Sequence, residues 1–331
     1  LSEAAAEGHT FLPKEVLLEK ASKLLAIDNL IIENSLTNLA LTHSIVMELT
    51  EEYTAVYRAG LYQAEAGASR MLRDLAVGNT IKQYNNIEEN IKRFEEKNHI
   101  CLAEQQREAV CSAMQHGVLI ITGGPGTGKT TAINCIIDLM EQKGLKVELA
   151  APTGRAAKRL AETTGREART IHRLLEYGFG DEHEYAFQRN EDNPVKADAV
   201  IIDEMSMVDI LLIFHMLKAI AQGTRLIMVG DVDQLPAVGP GNVLRDMIQS
   251  EVIPVIQLTE IFRQAQESMI IVNAHRINRG ENPFLNVTDK DFFFDKRESL
   301  DDVLKTLIDL VVRRLPGFGD YHSLQDIQIL A

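Results

Sequence analysis

From Pro13 to about Leu75, apolar residues recur at helical spacing: Val16, Leu17, Leu24 and Leu25, then Leu36, Leu39 and Ala40, and later Val56, Leu61, Met71, Leu72 and Leu75. The pattern predicts a small, mainly helical unit over 1–75. Its short helices, followed by the β-rich stretch Tyr53 to Tyr57, suit a winged helix-turn-helix as well as a compact helical cap. Residues 76–99 are polar, with Ile87, Ile91 and Phe94 keeping a narrow apolar stripe, which predicts a connecting helix. Past Ile100 the period changes to alternating strands and helices, the signature of an α/β parallel sheet covered on both faces. Strands are predicted at Val118–Thr122, Lys146–Ala151, Ala199–Asp203, Arg225–Val229 and Ile253–Gln257. Helices are predicted at Lys129–Lys143, Arg155–Thr163, Ile210–Ala221 and Asn242–Ser250. Within 176–197, the runs Tyr177-Gly178-Phe179-Gly180 and Tyr185-Ala186-Phe187 flank an acidic tip and read as an inserted hairpin or a disordered insertion.

Composition leaves this outline intact. The chain has 331 residues, 45% hydrophobic and 25% charged, enough for a sizeable core in about two domains. Its formal charge of −14 opposes attachment to DNA or anionic lipid by the whole-molecule field, so any nucleic-acid contact must be local. Cys101, Cys111 and Cys135 lack paired metal spacing and read as reduced core thiols. No apolar stretch approaches the roughly 20 residues of a membrane span, which gives a cytoplasmic expectation with no membrane partner. The chain starts without Met and stops in mid-pattern at Asp326 to Ala331, so both ends are expected to be cuts.

The chemistry begins at Gly123-Gly124-Pro125-Gly126-Thr127-Gly128-Lys129-Thr130, placed between a predicted strand and a predicted helix. Backbone N–H groups of such a loop converge on phosphate oxygens, the helix N-terminus faces them, Lys129 adds a cation and Thr130 holds Mg²⁺. Val200-Ile201-Ile202 leads into Asp203-Glu204, where Asp203 reaches Mg²⁺ through water and Glu204 serves as general base. The next strand delivers Gly230-Asp231-Val232-Asp233-Gln234, with Gln234 placed to sense the γ-phosphate or orient water. After the last strand, Arg263 is a candidate to offset the charge of phosphoryl transfer; a surface ion pair is the alternative. Upstream, Gln106 carries the donor and acceptor that an adenine edge requires. Arg155, Lys158, Arg159, Arg166, Arg169 and Arg173, with Thr153, Thr170 and His172, form the best nucleic-acid patch, against the alternative of a solvated, ion-paired helix face.

With these blocks in order, the chain resembles the RecD-like DNA helicases of superfamily 1, in the 5′ to 3′ branch. The resemblance rests on Leu102 to Val110, Gly123 to Thr130, Ala151 to Ala157, Thr170 to Leu175, Asp203 to Asp209, and Gly230 to Gly241 running on to Leu258 to Gln264. It implies a P-loop, RecA-like lobe over 100–280, preceded by a winged-helix-like domain. It implies ATP and Mg²⁺ as cofactors, with Gln106, Gly123, Gly124, Pro125, Gly126, Thr127, Gly128, Lys129, Thr130 and Thr131 around the nucleotide, and Thr130 and Asp203 on the metal. Lys129, Glu204, Gln234 and Arg263 are implied as catalytic. Thr153, Gly154, Arg155, His172, Arg173, Val238, Gly239, Pro240 and Gly241 are implied to line the path of single-stranded DNA or of a single-strand/duplex junction, with the hairpin placed where such proteins split a duplex. A monomer acting in repair or recombination is expected. Residues 281–331 are expected to connect to a truncated second lobe, its first strand near Asp326, leaving this chain a weak ATP hydrolase unable to unwind. Two other readings stay open: a P-loop ATPase that remodels proteins, and a non-catalytic binding module.

Overall fold

The computed structural model describes residues 1–78, 84–179, 185–262, 266–287, 290–319, 321–323 and 326–330. The chain forms two compact units, Leu1–Gln266 and Glu267–Ala331.

The first unit opens with α1 (Ser2–Ala6), β1 (Phe11–Pro13), α2 (Lys14–Leu25), α3 (Asn29–Leu41), β2 (Ile45–Leu49) and β3 (Thr54–Arg58). The strands pair antiparallel in the order β1-β3-β2. Asp28 caps α3 by accepting from the Leu30 N–H at 2.8 Å. Leu12, Leu17, Ile32, Leu36, Ile45 and Val56 close a small core of its own. Val56, one of the apolar positions read at helical spacing, belongs to a strand.

Next come α4 (Ala59–Gly78), α5 (Ile87–Asn98), α6 (Glu104–Gln115), β4 (Val118–Gly123), α7 (Lys129–Gln142), β5 (Val147–Ala151), α8 (Gly154–Thr164), β6 (Ala168–Thr170) and α9 (Ile171–Leu174). The hairpin strands β7 (Tyr177–Phe179) and β8 (Tyr185–Phe187) precede β9 (Ala199–Ile202), α10 (Ile210–Lys218), β10 (Arg225–Gly230), α11 (Val243–Gln249) and β11 (Val255–Leu258). A six-stranded sheet runs β11-β4-β10-β9-β5-β6, all parallel. Alternation along its strands divides the core in two. Leu119, Ile121, Ile201 and Ile227 face α5 to α8, while Val118, Ile120, Val200 and Met228 face α4, α10 and α11. This is the α/β sheet with helices on both faces that the periodicity implies. Leu61, Ala64, Ala68, Leu72 and Leu75 of α4 join the second cluster, so α4 lies on the sheet side of the boundary expected near 75. The last strand starts at Val255 instead of Ile253, since Pro254 has no N–H to donate and contributes only its carbonyl, which accepts from Ile120 N at 3.0 Å.

This N-terminal part is tied to the sheet domain. Gly241 N–H donates to the Gly8 carbonyl at 2.9 Å, and a cleft of about 570 Å³ lies between them, lined by Phe11, Leu72, Ile210, Val243 and Met247. Cys135 is buried, its thiol pushed up to about 12 by burial, but Cys101 is exposed and is no core thiol.

The second unit holds α12 (Met269–Asn278), α13 (Leu300–Asp309) and α14 (Leu315–Phe318), the last two joined through a π-helical turn over Leu310–Arg314. Residues 326–330, where a further strand is expected, form no strand. Among the described residues, no helix is long and apolar enough to cross a membrane.

Candidate nucleotide and nucleic-acid site

Every turn with candidate chemistry leaves the C-terminal edge of the parallel sheet, where the strand ends open into a crevice. The loop from Gly123 to Gly128 links β4 to α7. Gly126 and Gly128 both take φ +77°, a left-handed backbone that suits glycine. A Cβ on Gly128 would also fall 2.2 Å from Gln106 Nε2 and 2.7 Å from the Phe262 ring. Thr127 Oγ1 donates to the Gly124 carbonyl at 2.9 Å and stiffens the turn. Lys129 folds back over the loop and donates to the carbonyls of Gly123 and Gly124, a position that phosphate oxygens would take over. Thr130 is exposed and Thr131 half-buried at the start of α7.

Asp203 and Glu204 follow β9, two strands from β4 with β10 between. Glu204 takes φ 56°, a strained conformation for a residue with a side chain, and such outliers gather at functional sites. Burial raises the Asp203 carboxyl above its usual range; burial and the neighbouring Asp203 raise Glu204. Burial lowers the Lys129 ammonium against the pull of Asp231, Asp203 and Glu204. Asp203 and Thr130 both offer the hard oxygen donors that Mg²⁺ prefers, at the end of β9 and the start of α7 on the same sheet edge. Gln234 is exposed on the turn after β10, its Oε1 3.5 Å from Ser206 Oγ just past the acidic pair.

Gln106 lies against the phosphate loop. It is 1% exposed, accepts from Ala103 N–H at 2.9 Å and donates to the Gly128 carbonyl at 2.9 Å. One acceptor site and one donor of the amide thus cap α6 and brace the phosphate loop, and each end keeps a second hydrogen-bonding site. Arg263 lies outside the described residues. The segment leading to it reaches the loop, with Phe262 N–H donating to the Gly126 carbonyl at 3.3 Å.

On the nucleic-acid side, Thr153 caps α8, its hydroxyl accepting from Ala156 N–H at 3.2 Å, and Gly154 is open to solvent. Thr170 caps α9 in the same manner, accepting from Arg173 N–H at 3.2 Å, and leaves His172 and Arg173 exposed. The two turns follow the adjacent strands β5 and β6, so Thr153, Gly154, Arg155, His172 and Arg173 share one stretch of rim. Part of the basic patch is ion-paired. Lys158 faces Glu162, Arg166 faces Glu141 and Arg169 faces Glu167, as a solvated helix face predicts. In the other loop, Val238 points into solvent, but the Pro240 carbonyl accepts from Ile210 N–H at 2.9 Å and Gly241 bonds to Gly8. Gly239 packs on Asp209 so closely that a Cβ would lie 2.0 Å from its Oδ2. Gly239, Pro240 and Gly241 therefore anchor the loop internally; only Val238 is turned fully outward.

β7 and β8 pair antiparallel, Tyr177 with Phe187 and Phe179 with Tyr185. Phe187 packs 4.7 Å from the His215 ring and Tyr177 lies 5.6 Å from His172, which seats the hairpin on α9 and α10. Its acidic tip, 180–184, lies outside the described residues.

The family described as AAA domain matches residues 106–240. A Deinococcus radiodurans protein named ATP-dependent RecD2 DNA helicase is 40% identical over 227 residues, 67% of this chain and 30% of that protein. RecBCD enzyme subunit RecD of Mycolicibacterium smegmatis is 38% identical over 169 residues, 44% of this chain and 30% of that protein. RecBCD enzyme subunit RecD of Buchnera aphidicola subsp. Schizaphis graminum is 30% identical over 284 residues, 78% of this chain and 46% of that protein. The chain belongs to the RecD-like superfamily 1 helicases. It spans under half the length of each of these relatives.

In this RecD-like chain several site residues carried too weak a signal to be singled out. Asp231 is 4% exposed, and its charge acts on both Lys129 and Glu204. The Gly-Asp turn could have flagged it, but Gln234 in the same turn offered a more specific role. Thr122 holds that turn from the next strand by accepting from Val232 N–H at 3.3 Å. Gln105 accepts from Thr259 N–H at 2.7 Å and donates to its hydroxyl at 2.9 Å, clamping the segments on either side of the loop. Nothing in the spacing of Gln105 and Thr259, 154 residues apart, announces that pair.

Proposed function

We propose that the chain is the first, nucleotide-binding lobe, with its winged-helix unit, of an ATP-driven helicase that moves 5′ to 3′ on single-stranded DNA in repair or recombination. The observation that carries this reading is a shared rim. The phosphate loop, the acidic pair, Gln234 and the capped turns at Thr153 and Thr170 all leave the same edge of one sheet. ATP would lie on the loop amides and Lys129, and Mg²⁺ between Thr130 and Asp203 would neutralise phosphate charge. Glu204, its affinity for protons raised by burial, accepts a proton from the attacking water. Gln234 and Arg263 respond to the terminal phosphate. The strand is gripped through its phosphates by the helix N-termini at Thr153 and Thr170, with Arg155 and Arg173. Hydrolysis assembled between two lobes predicts that residues 1–331 alone bind nucleotide weakly and do not unwind. The protein would act in the cytoplasm, as a monomer.

The test is the steady-state ATPase of the intact protein with and without single-stranded DNA. Stimulation by DNA, lost in Lys129→Ala, is expected. An ATPase indifferent to DNA, or one that survives Lys129→Ala, would overturn the reading.

A further inference from the structure

Arg159, read from the sequence as one cation of the basic patch, is given no role at the site so far, and four observations separate it from the other cations of that patch. The first is placement. Helices α7 and α8 leave the same sheet edge and are stitched by Asn134 Nδ2 donating to the Thr163 carbonyl at 3.1 Å. One turn back toward the rim from that contact, four residues on each helix, stand Thr130 and Arg159. Helical side chains lean toward the N-terminus, which here means toward the crevice. The second is freedom. Lys158, Arg166 and Arg169 sit in ion pairs, whereas Arg159 is exposed and makes no ion pair among the described residues. The third is adjacency: α8 follows β5, which pairs with β9 up to Ala150 and Ile202, and Asp203 N–H donates to the Ala150 carbonyl at 2.9 Å, so the acidic pair leaves the strand next to the one that α8 follows. The fourth is balance. Three carboxylates, Asp203, Glu204 and Asp231, face Lys129 at this rim, and a triphosphate brings further negative charge.

We infer that Arg159 is a second cation of the nucleotide site, reaching from α8 to the terminal phosphates of a bound triphosphate opposite Lys129. Guanidinium suits this position because its planar, forked donors bind two phosphate oxygens at once and its charge persists at any working pH. It would be supplied by the lobe that already holds the phosphate loop, so it acts before any second lobe closes. The inference rests on the reading of the rim as a triphosphate site.

The experiment is a titration of the protein, without DNA, with fluorescent ATP and ADP analogues in the presence of Mg²⁺. Arg159→Ala, Arg159→Lys and Lys129→Ala are compared with the parent. Expected for Arg159→Ala is a triphosphate affinity about tenfold lower, the size of one hydrogen bond to a charged group, with diphosphate affinity nearly unchanged. Arg159→Lys falls between, and single-strand affinity and its salt dependence stay at parent values. If Lys129→Ala loses the triphosphate but Arg159→Ala keeps it, the inference fails and the site reading survives. Equal losses of triphosphate and diphosphate, or a loss confined to DNA binding, also overturn it. If neither variant changes nucleotide binding, the site reading itself falls. Should Arg159→Ala unfold early in a thermal melt, the Lys variant alone decides, since it keeps the charge and loses the fork.

Discussion

Gly128 shows how one residue ties the phosphate loop to its surroundings. Its backbone sits at φ +77°, and the space beside it is filled by the Gln106 amide and the Phe262 ring. Gly128→Ala should lower stability by about 1–3 kcal/mol, the cost of a strained backbone, and loosen nucleotide binding as well, both readable by melts with and without ATP. Glu204 illustrates the reverse trade. Because burial raises its folded-state value above the ordinary 4.5, the folded protein holds that proton more tightly than the unfolded chain. Stability is therefore lost as pH rises through the carboxylate range and regained as pH falls below it. Glu204→Gln should raise the melting temperature of the nucleotide-free protein at pH 7 while abolishing hydrolysis, and the gain should vanish once both states are protonated. A gain that persists at low pH would contradict the assigned cause. At this scale the sequence displayed the phosphate loop and the acidic pair openly. What it did not display is the bracing by Gln106, whose amide turns inward because a buried polar group must find partners, a demand that spacing does not reveal.

Among elements, the central strands were the easiest to read, since strands covered on both faces appear as unbroken apolar runs such as Val118-Leu119-Ile120-Ile121. Short, half-exposed strands gave no such run. β2 is exposed over most of its length and β6 has only three residues, one of them Arg169, so neither stood out. α4 carried a clear helical stripe, but which core it faced depended on Phe214 and Ile213 of α10, far along the chain. The hairpin is held chiefly by rings: Phe187 contacts Tyr177, His172 and His215. Phe187→Ala should cost about 1–2 kcal/mol through lost ring contacts and speed hydrogen exchange at Tyr177–Phe179 and Tyr185–Phe187, leaving exchange in β4 unchanged. Uniform acceleration across the sheet would mean the hairpin is part of the main cooperative unit.

For the molecule as a whole, net charge and local charge point in opposite directions. On the proposed function, a chain at −14 binds a polyanion through a small cationic rim. Single-strand affinity should thus fall steeply with salt, with a logarithmic slope of about −0.7 for each phosphate neutralised, and Arg155→Ala with Arg173→Ala should flatten it together. A flat salt profile in the parent would place the strand elsewhere. The joint between the N-terminal part and the sheet domain, with Phe11 lining one cleft with Ile210, Val243 and Met247 and Gly8 bonded to Gly241, reaches further than architecture. Anyone trimming the gene to obtain a minimal ATPase beginning after Arg58 would strip a lid from greasy surface and leave an amide unanswered, and the product should come out of the cell as aggregate.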